Sequence, residues 1–187
     1  AKFDRQQEFK IVRASFWRLP WKWLKIYELP LYLFMFSYGL ALALKEKADI
    51  IHCGEALPSG LVGLILSRVL GKPYLVYAHA EDVTIVSGLR TEGRVLKYVL
   101  KKSSGVITSS SFVRDFISAL GVAPKKISVV LAAIDEAFLM DGAEGIDRLK
   151  AALGVSGRRI VLSVCRLIER KGIDRVILAL PEVVQMS

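Results

Sequence analysis

From Ala48 onward the chain alternates short aliphatic or β-branched runs with helical segments, and this alternation constrains the fold more than any other feature. Ala48 to Cys53 reads as a strand. Pro58, Ser59 and Gly60 then open a helix through Leu70, with Ser59 at its N-cap, and Gly71-Lys72-Pro73 ends it. Tyr74 to Tyr77 is the next strand, a loop leads to a helix from Glu92 to Lys102, and Gly105 to Ser109 is a third strand. Ser110 or Ser111 caps a helix to Leu120, and Ile127 to Leu131 is a fourth strand. Such β-α-β-α order dictates an α/β fold with a doubly wound parallel sheet and right-handed crossovers. Ligands of such sheets sit beyond the carboxyl ends of the strands. Those ends carry His52, Cys53 and Glu55, then His79, Glu81 and Asp82, then Ser109 and Ser110.

A further strand, turn and helix follow at RRIVLSVCRLIERKGI, Arg158 to Ile173. The apolar run Ile160 to Val164 has the character of a strand buried on both faces. It stops at Cys165, and the next six residues hold Arg166, Arg170 and Lys171. Ile173, Val176, Ile177 and Leu180 then recur at helical spacing. A strand-to-helix turn leaves unpaired N–H groups and a positive dipole end that suit an anion. Arg166 and Lys171 add a fork of donors and a mobile ammonium, a good pair for two linked phosphates. A solvated basic loop has the same composition, and spacing alone does not separate the two.

With 187 residues, 53% of them hydrophobic, the chain can bury a real core in one domain or one and a half. Its formal net charge of +9 favours polyanionic partners: nucleotide phosphates, nucleic acid or anionic lipid. No zinc-finger, RNP-like or helix-turn-helix signature accompanies the charge, so no nucleic-acid partner is expected. The two cysteines, Cys53 and Cys165, are far apart and form no disulfide framework, which points to a reducing compartment; two unclustered histidines argue against zinc. The polar first residues, AKFDRQQEFK, do not read as a signal peptide.

Near the start, Phe9 to Arg13 reads as a short strand. Residues 16–27 interleave Phe16, Trp17, Trp21, Trp23 and Tyr27 with Arg18, Lys22 and Lys25. That composition suits a segment lying among lipid headgroups, and equally an aromatic loop packed on its own domain. Leu29 to Leu44 is the most apolar stretch. It falls short of the ~20 residues that span a bilayer and carries Pro30 and Gly39, so a buried helix is expected.

Arg166-Leu167, three residues, then Lys171-Gly172 after an apolar strand resembles the donor-phosphate segment of retaining glycosyltransferases of the GT-B type, family 4. In that family the equivalents of Arg166 and Lys171 contact the diphosphate of a nucleotide-sugar; Cys165 stands where glycine is usual. The strand ending in His79, followed by Glu81 and Asp82, is similar to the family's strand whose terminal histidine faces the transferred sugar. Read without the resemblance, the plainer reading of His79 is a histidine that merely caps the strand end. His52, in DIIHCG, resembles a family position that supports the acceptor side. Ser110, Gly121, Lys126, Ile127, Asp135 and Phe138 match a third segment, while Ala132 and Ala133 replace its usual asparagine and glycine.

The resemblance implies the Rossmann-like N-terminal half of a GT-B fold plus the first β-α unit of its second domain. Residues 1–140 would be the truncated acceptor-side domain, 141–157 a linker with room for a short helix, and 158–187 the truncated start of the donor-binding domain. The family's glycine-rich loop is expected before Ala1 and its paired glutamates, E-x7-E, beyond Ser187, so this piece alone is expected to be inactive. A lone β-α unit cannot bury its apolar face, so 158–187 is expected to pack on the first domain or to be poorly ordered.

The activity implied is transfer of a hexosyl unit from a nucleoside-diphosphate sugar to an acceptor hydroxyl, with retention of configuration and with no metal or other cofactor. His79, Arg166 and Lys171 would be catalytic, and Arg166, Lys171 and Cys165 would bind the donor phosphates. His52, Glu81 and Ser110 would line the acceptor side; nothing isolates Glu81 or Asp82 as a base. The acceptor would be a glycan or a lipid-linked molecule met from the cytoplasm at the inner face of a membrane, with residues 16–27 against an anionic surface. A reading of a different class stands beside it: a non-catalytic anion-binding or membrane-surface module. An epimerase or a phosphorylase on the same scaffold is a weaker alternative.

Overall fold

The computed structural model describes residues 9–15, 28–134 and 145–186. The chain divides into two compact units, Ala1–Ala133 and Ile134–Ser187. Residues 16–27, the aromatic and basic segment, lie outside the described residues, as do Asp135 and Phe138.

In the first unit α1 (Glu28–Lys45) precedes β1 (Ile51–Cys53), α2 (Ser59–Leu70), β2 (Tyr74–Ala78), α3 (Ala80–Val86), α4 (Glu92–Lys102), β3 (Gly105–Thr108), α5 (Ser111–Ala119) and β4 (Ile127–Val129). All four strands are parallel in the order β1-β2-β3-β4, with Cys53 opposite Val76, Val76 opposite Val106 and Thr108 opposite Val129. The α/β parallel sheet expected from the alternation is therefore present. Its order does not reverse within the described strands. The crossover helices accordingly form one layer, α2 against α4, α4 against α3 and α3 against α5.

The core lies between that layer and the sheet, where Val76, Ala78, Leu96, Val99, Leu100, Val106, Val113 and Ile117 are all at most 1% exposed. Small residues let α2 approach closely. A Cβ added at Gly63 would lie 2.2 Å from Cys53 Sγ, and one at Gly60 3.0 Å from Val99 Cγ1. Gly71 ends α2 at φ 67°, a left-handed position that glycine takes at little cost. The Tyr74 hydroxyl donates to the Val99 carbonyl at 2.6 Å, tying β2 to α4. Lys126 Nζ donates to the carbonyls of Lys101 and Ser103 at 3.0 and 2.9 Å, satisfying acceptors at the end of α4.

Several local expectations change. Phe9 to Arg13 forms no strand; Lys10 pairs with Glu46 beyond α1 instead, and an extended run with no ladder partner is not a strand. Ser59 is the first residue of α2, not its N-cap, because Pro58 occupies that place. The segment after β2 is not all loop, since α3 occupies Ala80–Val86. α1 is a helix as expected, but none of its described residues is fully buried, and Leu29, Leu33 and Leu44 are exposed. Among the described residues no helix is long and apolar enough to cross a membrane.

The second unit contains α6 (Ile146–Ala152), a 3-10 turn at Glu169–Lys171 and α7 (Ile173–Gln185). The strand expected from Ile160 to Val164 does not form there. Leu162 is 79% and Val164 87% exposed, and an apolar run with no neighbouring strand has neither a ladder nor a face to bury.

Candidate functional site

The carboxyl ends of β1, β2 and β3 place the chemistry-bearing residues on one edge of the sheet. Past β1, Glu55 is half-buried, and its backbone is held by Ser59. The Ser59 hydroxyl donates to the Glu55 carbonyl at 2.9 Å and accepts the Glu55 N–H at 3.2 Å. Ser59 therefore fixes this loop instead of capping the helix.

At the end of β2, His79 is the N-cap of α3 with extended backbone, and its exposed imidazole leans on Tyr77, ring centroids 4.7 Å apart. Asp82 is the third residue of α3, and its carboxylate accepts the backbone N–H of His79. This is the return half of a capping box, in which the third helical residue satisfies the N-cap donor. Glu81 lies in the same first turn and is exposed. At the end of β3, Ser110 caps α5 by accepting the Val113 N–H at 3.3 Å, so its hydroxyl already has a structural task.

Electrostatics single out two carboxyls. Burial raises Glu55 above the usual carboxylate range; the Asp82 charge adds to this and His79 opposes it. Burial likewise raises Asp82, with His79 opposing and Glu81 adding. Asp82 Oδ2 and Thr108 Oγ1 are both buried with no hydrogen-bond partner among the described residues. A buried polar atom without a partner loses its hydration uncompensated, and functional edges are where proteins keep such atoms. Thr108 has no motif around it, so only its place at the last register of β3, opposite Ala78, reveals it.

The sign of the pH effect follows. A carboxyl whose folded pKa is raised holds its proton more tightly when folded, so its contribution to stability is largest below the ordinary carboxylate pKa. That contribution is lost as pH rises through the raised folded value. Asp82→Asn keeps an oxygen for the His79 N–H and removes the confined charge. We expect it to raise the melting temperature at pH 7 and to flatten the fall in stability above pH ~4; calorimetry across that range measures both.

His52 projects from β1 and is exposed, beside a cavity of about 540 Å³ that Val12, Leu42, Ile50 and Leu66 also line. It alternates with the buried Cys53 and so faces away from the core. Cys53 is a free thiol whose pKa burial pushes up to about 11, which leaves it protonated and inert. In the second unit Cys165, Arg166 and Lys171 are all exposed. The Arg166 carbonyl accepts the Ile168 N–H at 2.9 Å, and the Lys171 N–H donates to the Ile168 carbonyl at 2.9 Å. Gly172, at φ 63°, then turns the backbone into α7.

Comparison with known proteins fits this arrangement. The family described as Glycosyltransferase Family 4 matches residues 3–138. A 2-deoxystreptamine glucosyltransferase of Streptomyces kanamyceticus is 26% identical over 148 residues, 72% of this chain and 38% of the relative. Among solved structures, Anabaena Alr3699/HepE in complex with UDP superposes with a TM-score of 0.67 at 22% identity, over 84% of this chain and 42% of that one. The same protein in complex with UDP-glucose gives 0.55 at 19% identity, over 68% and 36%. At such identity the structural likeness is one of fold. The chain spans less than half the length of these relatives. The family match covers well over half of the residues here and takes in the whole four-stranded sheet with its histidine-bearing edge: the chain belongs to glycosyltransferase family 4.

Proposed function

We propose that the protein to which this chain belongs transfers a hexosyl unit from a nucleoside-diphosphate sugar to an acceptor hydroxyl, with retention at the anomeric carbon. The observation that carries the reading is family membership over residues 3–138, the span that holds the edge with Glu55, His79 and Asp82. UDP-glucose is the first donor to test, because the Anabaena protein was crystallised with it and the Streptomyces relative is a glucosyltransferase.

The first unit supplies the acceptor side. His79 is exposed at a strand exit and has a carboxylate one helical turn away, so it suits hydrogen bonding to a sugar hydroxyl. Arg166 and Lys171 neutralise the diphosphate as the glycosidic bond breaks, and charge that develops late is stabilised most in the transition state. Two fixed cations can fill the part a divalent ion plays elsewhere, so turnover in the full-length protein is expected to survive EDTA.

The acceptor, in this reading, is presented at a membrane on the cytoplasmic side, with the tryptophans of residues 16–27 among the headgroups. The test is UDP-glucose turnover by the full-length protein with candidate acceptors, with NMR of the product reporting the anomer. His79→Ala is expected to lower kcat about a hundredfold with correct folding. No turnover of any nucleotide-sugar, or an inverted product, would remove the reading. Liposome binding unchanged by Trp21→Ala, Trp23→Ala and Lys22→Glu together would remove its membrane part.

A further inference from the structure

The outer face of α2 and α4 carries an arrangement that the transfer reaction leaves unused. Arg94, Tyr98 and Lys102 stand at i, i+4 and i+8 on α4, one straight ridge, and all three are exposed. α2 packs beside α4 and presents Ile65, Arg68 and Val69. Ile65 is 41%, Val69 58% and Tyr98 45% exposed, so the face offers apolar side chains as well as charge.

The two helices are joined across this face. An Arg68 guanidinium nitrogen donates to the Tyr98 hydroxyl at 2.6 Å, with the guanidinium carbon 5.7 Å from the ring centroid. Lys102 Nζ lies 5.8 Å from the same centroid. The ring therefore has two cations within about 6 Å of its centroid, and one hydrogen bond and two cation–π contacts hold its orientation.

We infer that this face docks on an anionic lipid surface. Charge complementarity favours that partner: the ridge is cationic, and the same pair of helices exposes aliphatic side chains and a phenol. A phenol ring with an apolar body and a polar tip suits the headgroup level, and each Lys or Arg near an anionic bilayer adds attraction that falls off within a Debye length. A nucleic acid or free polyphosphate would use the charge and leave Ile65 and Val69 without a role. The face is distinct in sequence from residues 16–27. It deepens the proposal of an acceptor met at a membrane, while its test needs no transferase activity.

The experiment is co-sedimentation of the whole chain with phosphatidylcholine vesicles, with and without phosphatidylglycerol. Binding is expected only to the anionic vesicles and is expected to weaken with salt. Arg94→Glu with Lys102→Glu is expected to cut the affinity roughly tenfold or more, and Val69→Ser to weaken it further. The same charge change in the second unit, Arg148→Glu with Arg158→Glu, is expected to have a much smaller effect. These side chains are exposed, so unchanged melting temperatures confirm that folding is intact. Equal losses in the two double variants would reduce the effect to net charge and overturn the assignment. So would binding that depends on Trp21 and Trp23 but not on the ridge, or a soluble polyphosphate that binds Val69→Ser as tightly as the parent and displaces the vesicles completely.

Discussion

Gly93→Ala is expected to destabilise the first unit by about 3 kcal/mol, against the helix scale. Alanine in a helix interior is normally favoured over glycine by ~1 kcal/mol. Gly93 lies in the first turn of α4, where that gain should apply. The space does not allow it. A Cβ there would sit 2.6 Å from the Ser87 carbonyl oxygen, 3.0 Å from that of Val86 and 3.1 Å from the Ser87 carbonyl carbon. These are backbone atoms at the end of α3, which the Ser87 N–H to Val83 and Leu89 N–H to Val86 hydrogen bonds hold in place, so no side chain can swing aside. Either α4 moves out of a core that includes Leu96 and Val99, or α3 shifts together with His79 and Asp82. Urea unfolding of the parent and variant measures the cost. Gly54→Ala, where an added Cβ meets nothing within 4 Å, serves as the control and is expected to be near neutral. A Gly93→Ala protein as stable as the parent would show that α3 and α4 do not pack this closely.

The same helix pair shows where the sequence is legible and where it is not. α4 could be read from its residues because Leu96, Val99 and Leu100 fall on one buried face and the lysines on the other. α3 could not: in AEDVTIV only Val83 is fully buried, four of its seven residues are β-branched, and a histidine caps it. It is held by the Asp82 carboxylate accepting the His79 N–H and by α4 behind it, neither of which leaves a periodic trace. The strands divide in the same way. Tyr74–Ala78 lies between two partners and forms, while Ile160 to Val164 is just as apolar and has no ladder. Hydrophobic runs report the capacity to be a strand; a neighbouring strand decides the outcome. At the site, topology alone brought Glu55, His79 and Asp82 to one edge. The raised pKa values of the two carboxyls and the partnerless Thr108 hydroxyl depend on three-dimensional burial.

Replacing both Arg166 and Lys171 by alanine in the full-length protein is expected to lower kcat/KM for the sugar donor about a thousandfold. The reason lies in where the charge goes. As the bond to the anomeric carbon lengthens, its electron pair passes to the diphosphate, so a fixed cation gains more interaction in the transition state than in the bound donor. The losses should therefore fall mainly on kcat, with KM changing less. The two cations are not equivalent. A guanidinium grips two phosphate oxygens in a plane, so Arg166→Lys should behave nearly as badly as alanine, whereas Lys171→Arg should keep part of the rate. The single variants are expected to sum to more than the double, since in the proposed transfer both cations would act on one leaving group and the second loss would remove less once the first is gone. Both side chains are exposed and neither belongs to the buried core, so thermal melts of the variants should match the parent and separate chemistry from folding. A double variant that turns over donor at the parental rate would mean that the leaving diphosphate is stabilised by other groups, and the resemblance of this turn to a donor-phosphate segment would then carry no mechanism.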